Sequence, residues 1–246
     1  MRTGSRLDLE NALSEIALSP QEQRALYRRL VSQPEWLAYV GRFGAFHLRS
    51  PQNGWVTLFS SKADLDLAQA QAETPIQTVS MCGFEPFALH LGARAGVAID
   101  PASPGGIHFK KSQLAHLEEW GKGAWIERLA RHTRNEPWVA RQLAAHASFW
   151  VLAEGTGSET RWLRGKAAGG KTGIALFAMP DAPYHFIEEQ KLDLSKLRLL
   201  KFTGHDLFES LTAGASPQPV VLNPSGPGLS LGITGRQIAL WLKDGQ

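Results

Sequence analysis

The sequence predicts an α+β fold in which one strand–helix scaffold is written twice, behind a helical N-terminal segment. Two observations lead there. Strand-like apolar runs and amphipathic helices alternate along the chain, with Gly, Pro and Asn turns between them. Four segments of the first half also return, in the same order, in the second. "TLFSSKADL" matches "ALFAMPDAP", pairing Phe59 with Phe177. "VSMCGFEPFALHL" matches "LKFTGHDLFESLT", pairing Gly83 with Gly204 and Phe87 with Phe208. "GVAIDPASPGG" matches "PVVLNPSGPGL", and "IHFKKSQLAHLEEW" matches "LSLGITGRQIALWL". Four matches in order, separated by small insertions only, point to a tandem duplication.

Taken in order, LDLENALSEIAL places Leu9, Leu13, Ile16 and Ala17 on one helical face. Ser19-Pro20 is a cap followed by proline at the first helical position, and PQEQRALYRRLV follows as helix until Pro34. After Trp36 the first copy reads as strand GAFHLR, turn SPQNG and strand WVTLF. A helix from Ser61, strand IQTVSM and helix Phe84–Leu91 come next, with Gly92 closing that helix. Strand GVAI, the Asp100-Pro101 turn, strand IHF and helix KKSQLAHLEEW complete the copy. The second copy reads as strands SFWVLAEG, TRWLRG and TGIALFAM, helix DAPYHFIEE, strand LRLLKF and helix HDLFESL. Strand PVVL, turn NPSGPG, strand LSLGI and helix TGRQIALWL end it. Between the copies lie two helical stretches broken at Asn135-Glu136-Pro137. Their Trp125, Ile126, Leu129, Trp138, Val139 and Leu143 need burial, so this spacer is expected to pack. The divisions are therefore a helical segment at 1–35, copy one at 36–120, a spacer at 121–147 and copy two at 148–246.

Composition narrows the function classes. The 246 residues are 43% hydrophobic and 20% charged, as in ordinary globular proteins. A formal net charge of +3, from scattered rather than massed Lys and Arg, argues against nucleic acid as a partner. Cys82 is the single cysteine, so no internal disulfide forms. The N-terminus carries acids among its apolar residues and lacks a secretory apolar core. No run of about 18 apolar residues suggests a membrane span. The expectation is a cytoplasmic protein with no membrane partner. Eight tryptophans are read first as packing, with an aromatic partner surface as the sharper reading.

The segments "VTLFSS" at 56–61, "DPASPGG" from Asp100 and "NPSGPG" from Asn223 carry a family resemblance. The repeated unit resembles the N-terminal domain of the SseB family (enhanced serine sensitivity B), and the two copies cover most of the chain after Trp36. The resemblance implies two tandem α/β sandwich domains with mixed sheets. It implies no catalytic residues, and it associates the chain with secretion systems or toxin neighbourhoods.

One string invites a chemical reading. Residues 165–172, "GKAAGGKT", fit the phosphate-loop pattern GxxxxGK[ST]. A working loop lies between a strand and a helix, whose N-terminal N–H groups and dipole face the phosphates. Here the apolar run GIALF follows, which reads as a strand, so the match is expected to be a basic hairpin loop. Its Arg161, Arg164, Lys166 and Lys171 are candidates for meeting an acidic partner. Asp100, Pro101 and Pro104, with Asn223, Pro224 and Pro227, are read as structural turns in which Asp or Asn bonds a backbone N–H two residues on. Cys82 near His90 is read as a buried structural thiol rather than a nucleophile. His205-Asp206 reads as a helix start. No metal-ligand grouping, serine elbow or carboxylate pair emerges, and neither a catalytic residue nor a cofactor is assigned. The expected function is non-enzymatic protein binding, most concretely an immunity protein that occludes the active site of a secreted bacterial toxin. The alternatives are an accessory or chaperone-like factor of a secretion system, and a nucleotide enzyme using Lys171 and Thr172.

Overall fold

The computed structural model describes residues 19–40, 55–91, 94, 96–132, 137–167, 169–213, 218–224 and 231–244. The chain divides into two compact units, Met1–Lys122 and Gly123–Gln246.

In the first unit, α1 (Pro20–Val31) starts at a reciprocal cap. The Glu22 amide donates to Ser19 Oγ at 3.3 Å, and the Ser19 amide donates to the Glu22 carboxylate at 2.8 Å. The helix read over Leu9–Ala17 lies outside the described residues, as do the strand GAFHLR, the turn SPQNG and Gly92. Five strands follow: β1 (Trp36–Tyr39), β2 (Trp55–Phe59), β3 (Thr78–Met81), β4 (Gly96–Ile99) and β5 (Ile107–Lys110). They are ordered β3-β1-β2-β4-β5. β1 runs antiparallel to β2 and β3, β2 pairs with β4 in parallel, and β4 pairs with β5 antiparallel. Sequence reading passed over β1, because WLAY is only four residues long and sits hard against Pro34.

Register puts Ala38, Val56, Leu58, Val97 and Ile99 on one face of this sheet, and all are buried. Helices α1, α3 (Glu85–Leu89) and α4 (Lys111–His132) cover that face. Phe87 meets Trp36 edge-on at 6.0 Å, Tyr27 lies 6.2 Å from Phe109, and Trp120 stacks on Tyr27 at 5.8 Å. Helix α2 (Lys62–Gln71) follows β2. The sequence reading ended a helix at Trp120 and opened a spacer at Gly121, residues that the structure joins in one helix of 22 residues. Gly121 and Gly123 weaken the helix signal. The division between units falls inside this helix.

In the second unit, α5 (Pro137–Ala145) precedes β6 (Phe149–Glu154), β9 (Thr172–Phe177), β10 (Leu197–Phe202), β11 (Val220–Leu222) and β12 (Leu231–Ile233), ordered β10-β6-β9-β11-β12. The senses repeat those of the first sheet: β6 antiparallel to β9 and β10, β9 parallel to β11, β11 antiparallel to β12. Its core joins Phe149, Val151, Ile174, Leu176, Val220 and Leu222 to Ile126 and Leu129 of α4, Val139 and Leu143 of α5, and Phe208 of α7 (Gly204–Thr212). Trp125 and Trp138 pack half-buried against it. All six spacer residues expected to need burial are thus buried or half-buried. Helices α6 (Ala182–Glu189) and α8 (Gly235–Asp244) complete the unit.

The registers bring the sequence matches into equivalent places. Leu37 opposes Phe59 as Trp150 opposes Phe177. Gly83 lies against Gln33, just beyond the end of α1, and Gly204 against Leu143 of α5, in each case shortly before the unit's first strand. A Cβ at Gly83 would fall 2.0 Å from the Gln33 carbonyl oxygen, and one at Gly204 2.1 Å from that of Leu143.

Candidate functional site

The Asp-Pro and Asn-Pro turns sit at the ends of β4 and β11. Asp100 and Asn223 share a left-handed backbone with φ of 48°. The Asp100 amide donates to the Leu58 carbonyl at 2.9 Å, and the Asn223 amide to the Leu176 carbonyl at 2.7 Å. The sequence suggested that their side chains bond N–H groups within the turn, two residues on. In the structure these side chains reach across to the neighbouring strand end. Asp100 accepts from the Ser60 amide at 2.7 Å and from Ser60 Oγ at 2.6 Å. Asn223 Oδ1 accepts from the Ala178 amide at 3.4 Å. A parallel strand pair leaves that amide without a ladder partner, and a short side chain on the next strand satisfies it. Pro101, Pro104 and Pro224 lie in these turns, whereas Pro227 is outside the described residues.

The string GKAAGGKT forms a β-hairpin. Two short strands precede β9: β7 (Arg161–Trp162), which pairs with β6, and β8 (Arg164–Lys166), which pairs with β9. TRWLRG, read as one strand, is therefore split. Leu163 makes the crossing, its amide donating to Leu152 and its carbonyl accepting from Ala175. Lys166 opposes Thr172, and the Ala167 amide donates to the Lys171 carbonyl at 2.7 Å. Gly170, with φ of 80°, turns the chain. Lys171 then leads into a six-residue strand instead of a helix, so no amide ring or helix dipole faces a phosphate. Gly165 has a packing reason: a Cβ there would lie 2.4 Å from Cβ of Pro224.

The four basic candidates, Arg161, Arg164, Lys166 and Lys171, are all exposed on this hairpin. Arg164 and Lys166 alternate with buried Gly165 and so share one face of β8. Arg161 stands opposite Glu154 in register. The arrangement is a short positive ridge on a hydrogen-bonded frame, suited to meeting carboxylates.

Cys82 is half-buried rather than buried, because it lies just beyond the end of β3, and its amide donates to Glu85 at 2.6 Å. Burial holds the His90 imidazole below its usual pKa, opposed by the Glu85 carboxylate and assisted by Arg94. Asp206 lies in the first turn of α7, and its amide donates to Oγ1 of the N-cap Thr203 at 3.2 Å. Trp36 and Trp120 are buried, while Trp55, Trp125, Trp138, Trp150 and Trp162 are half-buried. Among the described residues no group of three or more His, Cys, Asp or Glu is placed to hold a metal ion. No described helix is long and apolar enough to cross a membrane.

Residues 9–116 match the family model described as SseB protein N-terminal domain, which supports the SseB family for the first unit. No curated protein matches the chain. Among solved structures, Anabaena Tic22 (protein transport) is similar at 12% identity, covering 85% of this chain and 94% of that one with a TM-score of 0.27.

Proposed function

We propose that the chain is a protein-binding protein made of two SseB-like units, and that the second unit engages an acidic partner surface through its basic hairpin. The observation that carries this reading is the exposure of Arg161, Arg164, Lys166 and Lys171 on a single paired hairpin. Charges so placed steer encounter and set orientation without burying an unpaired ion. The second unit's assignment as a further copy is supported by its repeated strand order and senses, and by the equivalent turns at Asp100 and Asn223.

The most concrete form of this function is a cytoplasmic immunity protein that covers the active site of a secreted toxin by shape and charge. The test is a pull-down with the toxin domain encoded beside this gene, together with rescue of growth. Reversing all four basic residues to glutamate is expected to slow association at least tenfold and to reverse its salt dependence, so that added salt speeds rather than slows association. Binding without rescue would favour an accessory factor of a secretion system. Unchanged association by the fourfold variant would remove the hairpin from the interface.

A further inference from the structure

The first unit contains a cavity of about 430 Å3 between α2 and the sheet, and a buried aromatic, Phe186, stands at the corresponding position of the second unit. The cavity is lined by Tyr39, Thr57 and Phe59 from the sheet's second face, Ala68 of α2, and Ala98 and His108. Thr57 is 3% exposed, and its Oγ1 has no hydrogen-bond partner among the described residues. A buried hydroxyl left in that state carries a desolvation cost that a bound group can relieve.

The equivalent positions of the second unit show what closing this space requires. Thr57 pairs in register with Ala98, whereas Ala175 pairs with Val221. Nine residues beyond Phe59 stands Ala68, and nine beyond Phe177 stands Phe186. Phe186 is 4% exposed with its ring 5.5 Å from that of Phe177. Helix α6 buries Ala182, Pro183, Phe186 and Ile187, while α2 buries no residue at all. One scaffold position is thus a packed aromatic pair in one unit, and in the other an opening floored by an unpartnered hydroxyl.

We propose that the first unit's cavity is a small-molecule site for an uncharged, mainly apolar ligand bearing one carbonyl or hydroxyl, which pairs with Thr57. Volume and lining fit this class: a few hundred cubic ångströms, a mainly apolar lining that also carries Gln71, Glu73, Thr74 and His108, and one buried hydroxyl without a partner, that of Thr57. Glu73 contributes to the lining and no Lys or Arg does, which disfavours anions. The lining lies within the first unit and includes none of the hairpin's residues.

The test is an NMR titration of the full chain with two probes, 4-phenyl-2-butanone and butylbenzene, which lacks the carbonyl. Saturable amide shifts at Thr57, Ala68 and Ala98 are expected with the ketone. Ala68→Phe, which copies Phe186, is expected to weaken that binding at least tenfold. Thr57→Val, which keeps the shape and removes the hydroxyl, is expected to weaken the ketone about fivefold and leave butylbenzene unchanged. The isosteric valine variant stands as the test should the phenylalanine variant fail to fold. Absence of saturable shifts in the natural chain would overturn the site, as would ketone binding indifferent to both substitutions. Equal losses for the two probes in Thr57→Val would overturn the anchoring role.

Discussion

Asp100 and Asn223 show how one residue type serves two constraints. Each holds a φ of 48°, and each offers a side-chain oxygen to an amide at the end of the parallel neighbour. Asn and Asp tolerate that backbone better than other residues with a Cβ. Asp100→Ala is therefore expected to cost roughly 2–3 kcal/mol, since it strains the turn and strands the Ser60 amide. Asp100→Asn keeps the conformation and one acceptor, and is expected to cost less than half as much; urea unfolding of both variants checks the order. The turns themselves were legible from Asp-Pro and Asn-Pro. Their bonding was not, because its acceptor and donor lie about 40 residues apart in sequence and meet only through the sheet. His90 supplies a pH dependence at the same scale. Its neutral form is favoured by burial, so its folded pKa lies below the unfolded value near ~6.5. The unfolded chain takes up this proton first, and stability present above that pH is lost as pH falls through the folded value. Between pH 7.5 and 5.5 the natural chain should lose more stability than His90→Gln, as measured by urea midpoints.

Among the elements, α2 and α6 differ most instructively. Both follow the strand that ends in an equivalent phenylalanine, but only α6 seats an aromatic on the sheet. Phe186→Ala is expected to destabilise the second unit by about 3–5 kcal/mol, read from its thermal and urea transitions. A cost under about 1 kcal/mol would mean that Phe186 does not close that face. The basic hairpin was legible in advance because GIALF reads as a strand and the first copy's SPQNG reads as a turn at the matching point of the sequence. Its division into β7 and β8 was not, since neither piece has enough length to show an alternation. The exposure of Arg164 and Lys166 follows from their alternation with buried Gly165, and that of Lys171 from its place at the turn. The same local weakness hid β1. Four residues gain strand character from pairing with β2 and β3, which no local pattern reports.

At the scale of the molecule, each unit closes its own sheet and its own core. Phe87 and Phe208 are fully buried at matching positions, one in each unit. Phe87→Ala is expected to reduce hydrogen-exchange protection in β1, β2 and β4 while β6, β9 and β11 keep theirs, and Phe208→Ala to do the reverse. Loss of protection in both sheets from either substitution would show that the units open as one. The sequence by itself determined the repeated order of strands and helices, the turns between them and the apolar faces, because these arise from periodicity and from local backbone preference. The tertiary structure decided which amide each turn side chain satisfies, how the two helical stretches after β5 join through Gly121, and that one α2-like face is packed while the other stays open. Those outcomes depend on distances between residues remote in the chain, and on whether a small or a large side chain arrives at a shared position.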